Sequence, residues 1–141
     1  MKRILSLLLA VVLSLSFAVS VSAQEQEQTP ITPRYTYIAA TVVDLNINES
    51  TNVTSNFAYS YLYDDSLEMQ AVVKLQRYNN SKWNTVKTWT ASGMGDVDVD
   101  KDWAVASGYT YRTYVTFSVY DSNGNLLESV SRYDSEYFPP L

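Results

Sequence analysis

Residues 109–120 read YTYRTYVTFSVY, twelve positions without glycine, proline or an acid. Tyr109, Tyr111, Thr113, Val115, Phe117 and Val119 fall on one side of a two-residue period. Thr110, Arg112, Tyr114, Thr116, Ser118 and Tyr120 fall on the other. Aromatic and β-branched side chains suit a pleated surface, and alternation of this kind means one face buried and one in water. The segment reads as the longest regular strand of the chain. Behind it, Asp121-Ser122-Asn123-Gly124-Asn125 has the composition of a hairpin turn, with glycine free to take positive φ. A last strand is expected from Leu126 to about Tyr133.

The same alternation extends towards the N-terminus. Asp102 to Gly108 reads as a connection anchored by Trp103 and Val105, and Asp96 to Asp100 alternates acid with valine as an edge strand does. Ala91 to Gly95 reads as a flexible link. From Lys82 to Thr90 the apolar residues Trp83, Val86 and Trp89 recur every three positions, but the threonines and Asn84 disfavour a helix, so a short strand with a bulge is expected. Tyr78-Asn79-Asn80-Ser81 is a tight turn. Before it Met69, Ala71, Val73 and Leu75 point inward, with Gln70, Lys74 and Gln76 outward. Asp64-Asp65-Ser66 interrupts the pattern, and Val53, Phe57, Tyr59, Tyr61 and Tyr63 define the face of a second strand. The first run, Tyr35 to Asn48, puts Tyr37, Val43, Leu45 and Ile47 on one face and is apolar on both sides in its middle, which a bulge would explain.

Seven strands joined by short polar turns leave no interval for a helical crossover. The expected fold is therefore all-β, an antiparallel two-sheet sandwich of immunoglobulin-like type over residues 35–138, with a small barrel or jelly roll as the alternative. Gly108-Tyr109-Thr110-Tyr111-Arg112 looks like the start of strand F in immunoglobulin-like domains, where a tyrosine folds back onto a backbone carbonyl. Tyr111 is the better candidate for that tyrosine. Antibody-type domains carry a cysteine two residues later, where this chain has Thr113.

Lys2 and Arg3 precede an apolar run, and Val21-Ser22-Ala23 offers small residues before Gln24. Residues 1–23 are the pattern of a secretory signal peptide cleaved between Ala23 and Gln24, and residues 24–34 read as a flexible polar leader. The expected location is extracellular, with a non-covalent hold on the cell surface as a further option and no stable membrane insertion after cleavage. The remaining 118 of 141 residues suffice for one core and carry fifteen acids against eight lysines and arginines, a net charge of −7. That balance argues against nucleic acid as a partner.

Histidine and cysteine are both absent. Serine–histidine triads, cysteine nucleophiles and the usual zinc sites go with them, and the stability of the domain rests on packing rather than disulfides. A carboxylate-dependent hydrolase is the one enzymatic option left, and no spacing singles out its acid pair. No cofactor is expected. Asp96, Asp98 and Asp100 share a strand face and make a weak calcium candidate; Lys101 stands where an EF-hand loop needs glycine, and an edge strand with a charged solvent face is the better explanation of the aspartates. Twelve tyrosines and three tryptophans suggest stacking on a ligand. Trp83 and Trp89 on a hairpin, and Tyr114 and Tyr120 on an outward strand face, are the candidate ligand-binding residues.

The chain also resembles a family of small uncharacterised secreted proteins of Gram-positive bacteria, mainly Firmicutes. The likeness lies in Tyr35-Thr36-Tyr37-Ile38, Leu75-Gln76, Trp83 with Val86 and Trp89, Gly108-Tyr109 with Tyr111-Arg112, and Val119-Tyr120-Asp121 with Gly124. These are strand and turn residues. The resemblance implies export and an immunoglobulin-like sandwich, and it implies no activity. The functional expectation is a secreted, non-enzymatic binding or surface-interaction module whose ligand is an extracellular glycan or protein. A cell-wall glycan ligand and a self-assembling extracellular structure are the alternatives.

Overall fold

The structure is a computed structural model that describes residues 35–140. The expected signal peptide, its expected cleavage site between Ala23 and Gln24, and the expected leader lie outside the described residues. Seven strands run in chain order: β1 (Ile38–Asn48), β2 (Val53–Leu62), β3 (Glu68–Asn79), β4 (Lys82–Met94), β5 (Asp96–Ala104), β6 (Tyr109–Tyr120) and β7 (Leu126–Phe138). Among the described residues there is no helix. The strands form a three-stranded sheet, β1-β2-β5, and a four-stranded sheet, β4-β3-β6-β7, with every pairing antiparallel.

This is an immunoglobulin-like two-sheet sandwich with one strand exchanged. Constant-type immunoglobulin domains put their fourth strand with the first sheet. Here β4 stays beside β3. Asn80 and Ser81, at φ 52° and 62°, close the hairpin between them, and two successive positive φ angles make a turn whose twist keeps the two strands paired.

The alternation of β6 holds along its length: Tyr111, Thr113, Val115, Phe117 and Val119 are all buried. Met69, Ala71, Val73 and Leu75 of β3 meet them in register and are fully buried too. Opposite, Ile38, Ala58, Leu62, Val97 and Val99 close the larger core, while Leu45 and Ile47 pack with Leu75, Tyr111 and Phe138 in a second cluster. The Tyr111 hydroxyl donates to the Ala106 carbonyl at 2.8 Å, the fold-back expected at the start of this strand. The bulges lie at Ile38/Ala40 in β1, opposite Leu75/Gln76 in β4, whose extra residue is Val86, and opposite Val119/Tyr120 in β7, whose extra residue is Leu127.

β1 starts at Ile38 rather than Tyr35 and β3 runs to Asn79 into the expected turn, and three strand limits differ from the sequence reading by more. Ala91 to Met94 continue β4 rather than forming a link, so only Gly95 makes the corner into β5. β5 runs on through Asp102 and Trp103 to Ala104, which shortens the connection to residues 105–108. β7 reaches Phe138, because the acids that appear to end it are satisfied on the strand. Leu45 N–H donates to Asp134 Oδ2 at 3.0 Å and Ile47 N–H to Glu136 Oε2 at 2.9 Å.

Glu128 extends that seam. Its carboxylate accepts from the backbone N–H groups of Thr36, Tyr37 and Ile38 at 2.9, 3.0 and 2.9 Å. Edge strands β1 and β7 therefore meet along one side of the sandwich, and side-chain carboxylates take donors of β1 that a neighbouring strand would otherwise take. Nearby, Arg132 hydrogen-bonds the Tyr35 hydroxyl and lies over its ring.

At the β4–β5 corner Gly95 has φ +79°, and a Cβ there would lie 2.9 Å from Asp65 Cα. Both the left-handed backbone and the contact oppose a side chain. Gly95→Ala is expected to cost about 1.5 kcal/mol, read as a lower urea midpoint at an unchanged m-value.

Candidate functional site

The outer face of the four-stranded sheet is assembled by register. Cross-strand partners share a face, so pairing Gln76 with Arg112, Tyr78 with Trp83, Tyr114 with Tyr133 and Gln76 with Thr85 puts these side chains together on the solvent side. At their centre is Arg112. Its guanidinium lies 4.2 Å from the Trp83 ring centroid, 5.0 Å from that of Tyr114 and 5.4 Å from that of Tyr133. Arg112 Nε–H donates to Gln76 Oε1 at 2.8 Å, and Gln76 Nε2 in turn to Thr85 Oγ1 at 3.1 Å. Tyr78 packs on Trp83 with ring centroids 5.1 Å apart.

A cation over aromatic faces is held by the ring quadrupoles, and the Nε–H bond fixes the plane of the guanidinium. The long Arg112 side chain is thereby ordered before any ligand arrives. The rings around it keep solvent exposure, 62% for Tyr133 and 44% for Tyr78. Along the same face Thr116 pairs with Ser131 at 3.0 Å and Ser118 with Ser129 at 3.3 Å, a row of hydroxyls leading away from the aromatic end.

Of the four aromatic candidates, the structure gathers Trp83 and Tyr114 around Arg112. Tyr120 shares their face but stands at the far end of β6, beside Glu68 and Leu126, about 20 Å from Tyr114 at the usual strand rise. Trp89 turns the other way. It is half-buried against both core clusters and meets Trp103 edge-on at 6.3 Å, with Lys87 Nζ 4.4 Å from the Trp103 ring. The bulge at Val86 reverses the facing of β4, so Trp83 and Trp89 end on opposite sides despite lying on one strand. The bulge that the spacing of three predicts for this strand is present, and the reversal is its consequence.

Asp96, Asp98 and Asp100 point outward from the edge strand β5, with Val97 and Val99 buried between them. Among the described residues no three carboxylates are grouped closely enough to hold a metal ion.

The register of β5 also settles the face of β2. Asp96 pairs with Tyr61, Asp98 with Tyr59 and Asp100 with Phe57, so these aromatics lie on the solvent side together with the acids. The inward residues of β2 are Thr54, Asn56, Ala58, Ser60 and Leu62. The outer face of the three-stranded sheet is thus a column of Phe57, Tyr59 and Tyr61 bordered by aspartates. At its end a cleft of about 450 Å³ is lined by Tyr59, Tyr61, Asp65, Met94, Gly95 and Asp96.

The two outer faces differ in charge: Arg112 and Lys74, with Glu68 at the far end, lie on one, and Asp44, Asp96, Asp98, Asp100 and Asp102 on the other. The cationic, aromatic face fits planar or ring-shaped ligands that also need hydrogen-bond donors. No family model matches the chain, and no curated protein matches it.

Proposed function

We propose that the chain is an exported, non-enzymatic binding module, and that its ligand is a glycan held on the outer face of the four-stranded sheet. The observation that carries this reading is the set of three rings, Trp83, Tyr114 and Tyr133, framing one ordered arginine on a solvent-facing strand surface. Sugar rings present C–H faces that stack on aromatic planes, and hydroxyls or carboxylates that accept from a guanidinium. The Thr116–Ser131 and Ser118–Ser129 pairs extend the surface with small donors and acceptors, as a chain of several sugar units requires. The alternative of assembly by strand addition finds one side of the sandwich already closed, because carboxylates of β7 occupy N–H groups of β1.

Retention on insoluble peptidoglycan and on neutral and acidic polysaccharides tests the proposal. The protein is expected to be retained on at least one polymer, with Trp83→Ala and Arg112→Ala each weakening retention about tenfold, the loss typical of a central contact residue. Both positions are at the surface, so circular dichroism should show an unchanged fold. Retention on none of these polymers, or retention indifferent to both substitutions, overturns it.

A further inference from the structure

We propose that the free edge of β5 docks an extended basic segment of a partner protein by strand addition. β5 pairs with β2 alone. Its other edge borders an open groove of about 290 Å³ beside β4, lined by Trp89, Ala91, Val99, Asp98, Asp100 and Lys101 among others. β1, the opposite edge of the same sheet, has donors at Ile38, Leu45 and Ile47 occupied by carboxylates of β7. The sheet is closed on one side and open on the other.

Charge selects the occupant. Asp96, Asp98, Asp100 and Asp102 recur at every second residue on the outer face, a spacing of about 6.8 Å at the rise of an antiparallel strand. An added strand has the same period, so lysine or arginine at its alternate positions comes opposite these aspartates, and opposite charges across a strand pair stabilise it. Its intervening side chains turn into the groove, against Trp89 and Val99. The strands of this sheet contain no arginine and one lysine, Lys101, which lines the groove rather than the outer face. The attraction is therefore uncompensated on the face itself. A second copy of β5 would set aspartate against aspartate and is refused, so the strip discriminates between partners as well as attracting one. Main-chain hydrogen bonds supply the affinity, and the alternate aspartates supply the choice of partner.

The probe is a synthetic ten-residue peptide alternating lysine and threonine, with two controls. One control replaces lysine by glutamate; the other carries N-methyl groups at alternate residues and so lacks donors on one edge. Binding is followed by amide chemical-shift changes in the intact protein. The lysine peptide is expected to bind and to shift the amides of Val97 to Lys101. The glutamate peptide should not bind, and the N-methylated peptide should bind at least tenfold more weakly. D98N/D100N, at two exposed positions, should also weaken binding about tenfold, while Trp83→Ala leaves it unchanged. Absence of binding, equal binding of the N-methylated peptide, or shifts confined to the Tyr59 and Tyr61 cleft would each overturn the proposal.

Discussion

Asn56→Ala is expected to destabilise the domain by about 3 kcal/mol, a drop of more than 10 °C in the melting midpoint for a domain of this size. Asn56 is fully buried on β2. Its Nδ2 donates to Thr54 Oγ1 at 3.0 Å and to the Lys101 carbonyl at 2.9 Å, and its Oδ1 accepts from Thr113 Oγ1 at 2.8 Å. The last of these bonds crosses from one sheet to the other. Thr113 stands where antibody-type domains carry the strand F half of their inter-sheet disulfide, and β2 is the strand that carries the other half. A polar bridge thus occupies the place of a covalent one in a chain without cysteine.

Alanine at position 56 leaves the buried Thr113 hydroxyl without its cross-sheet partner and removes the amide donor to Thr54 Oγ1 and the Lys101 carbonyl, although Thr54 keeps its bond to the Trp103 carbonyl; it also adds a cavity. Two further variants separate these causes. Asn56→Asp places a carboxylate in the same buried site and should cost more than alanine. The double variant Asn56→Leu/Thr113→Val removes both ends of the inter-sheet bond and refills the space, so it should cost less than the sum of its single changes. Chemical denaturation of these variants, of Asn56→Leu and Thr113→Val alone, and of the native protein checks the order. Strict additivity would show that the two residues do not act as one unit.

The strand count and the facing of β3 and β6 were legible because each carries an uninterrupted two-residue alternation, Met69 to Leu75 and Tyr109 to Val119. β2 was harder, since its larger and more apolar set is the one in water. Phe57, Tyr59 and Tyr61 look like a core face until their partners are known. The deciding signal lay forty residues away, in the aspartates of β5, whose outward facing forces their cross-strand partners outward. A single-strand reading of hydrophobicity does not contain that information. The end of β7 was hidden for a related reason. Asp134 and Glu136 resemble the polar end of a strand, yet they face β1 and accept its N–H groups. Of the candidate surface, Trp83 and Tyr114 were found by residue type and facing, whereas Arg112 and Tyr133 emerge only when four strands are set in register. The bulge at Val86, which separates Trp83 from Trp89, follows from the pairing of Leu75 with Lys87 and Gln76 with Thr85.

Glu128→Ala is expected to cost about 2.5 kcal/mol at neutral pH. One carboxylate accepts three backbone donors at the entrance to β1, and hydrogen bonds to a charged acceptor contribute roughly 1.5–3 kcal/mol each before discounting for the solvent that reaches this seam. Burial pushes the Glu128 carboxyl up, but the N–H groups of Thr36, Ile38 and Tyr37 together outweigh it and hold the group below its ordinary range. A carboxylate whose folded value is depressed adds stability that is complete above its unfolded value and is lost as pH falls through the folded one. The contribution should therefore be whole at neutral pH and fade below about pH 4, the ordinary glutamate range. Glu128→Gln keeps an acceptor oxygen but no charge, so the difference in denaturation midpoint between it and the native protein should shrink as the pH is lowered through that window. Asp64 and Asp121 titrate in the same direction: their turn hydrogen bonds, from Ser66 in the first case and Asn125 in the second, hold them low as well. They are unchanged in the Gln variant, so the difference between the two proteins isolates Glu128. Loss of this clasp also frees the N–H groups of Thr36, Tyr37 and Ile38, and an uncovered strand entrance is a template for pairing with another chain. Acidified native protein and neutral Glu128→Ala should then share a concentration-dependent increase in light scattering that native protein at neutral pH lacks. A gap between the native and Gln proteins that stays constant from pH 7 to pH 3 would show that the charge of Glu128 does not hold the seam.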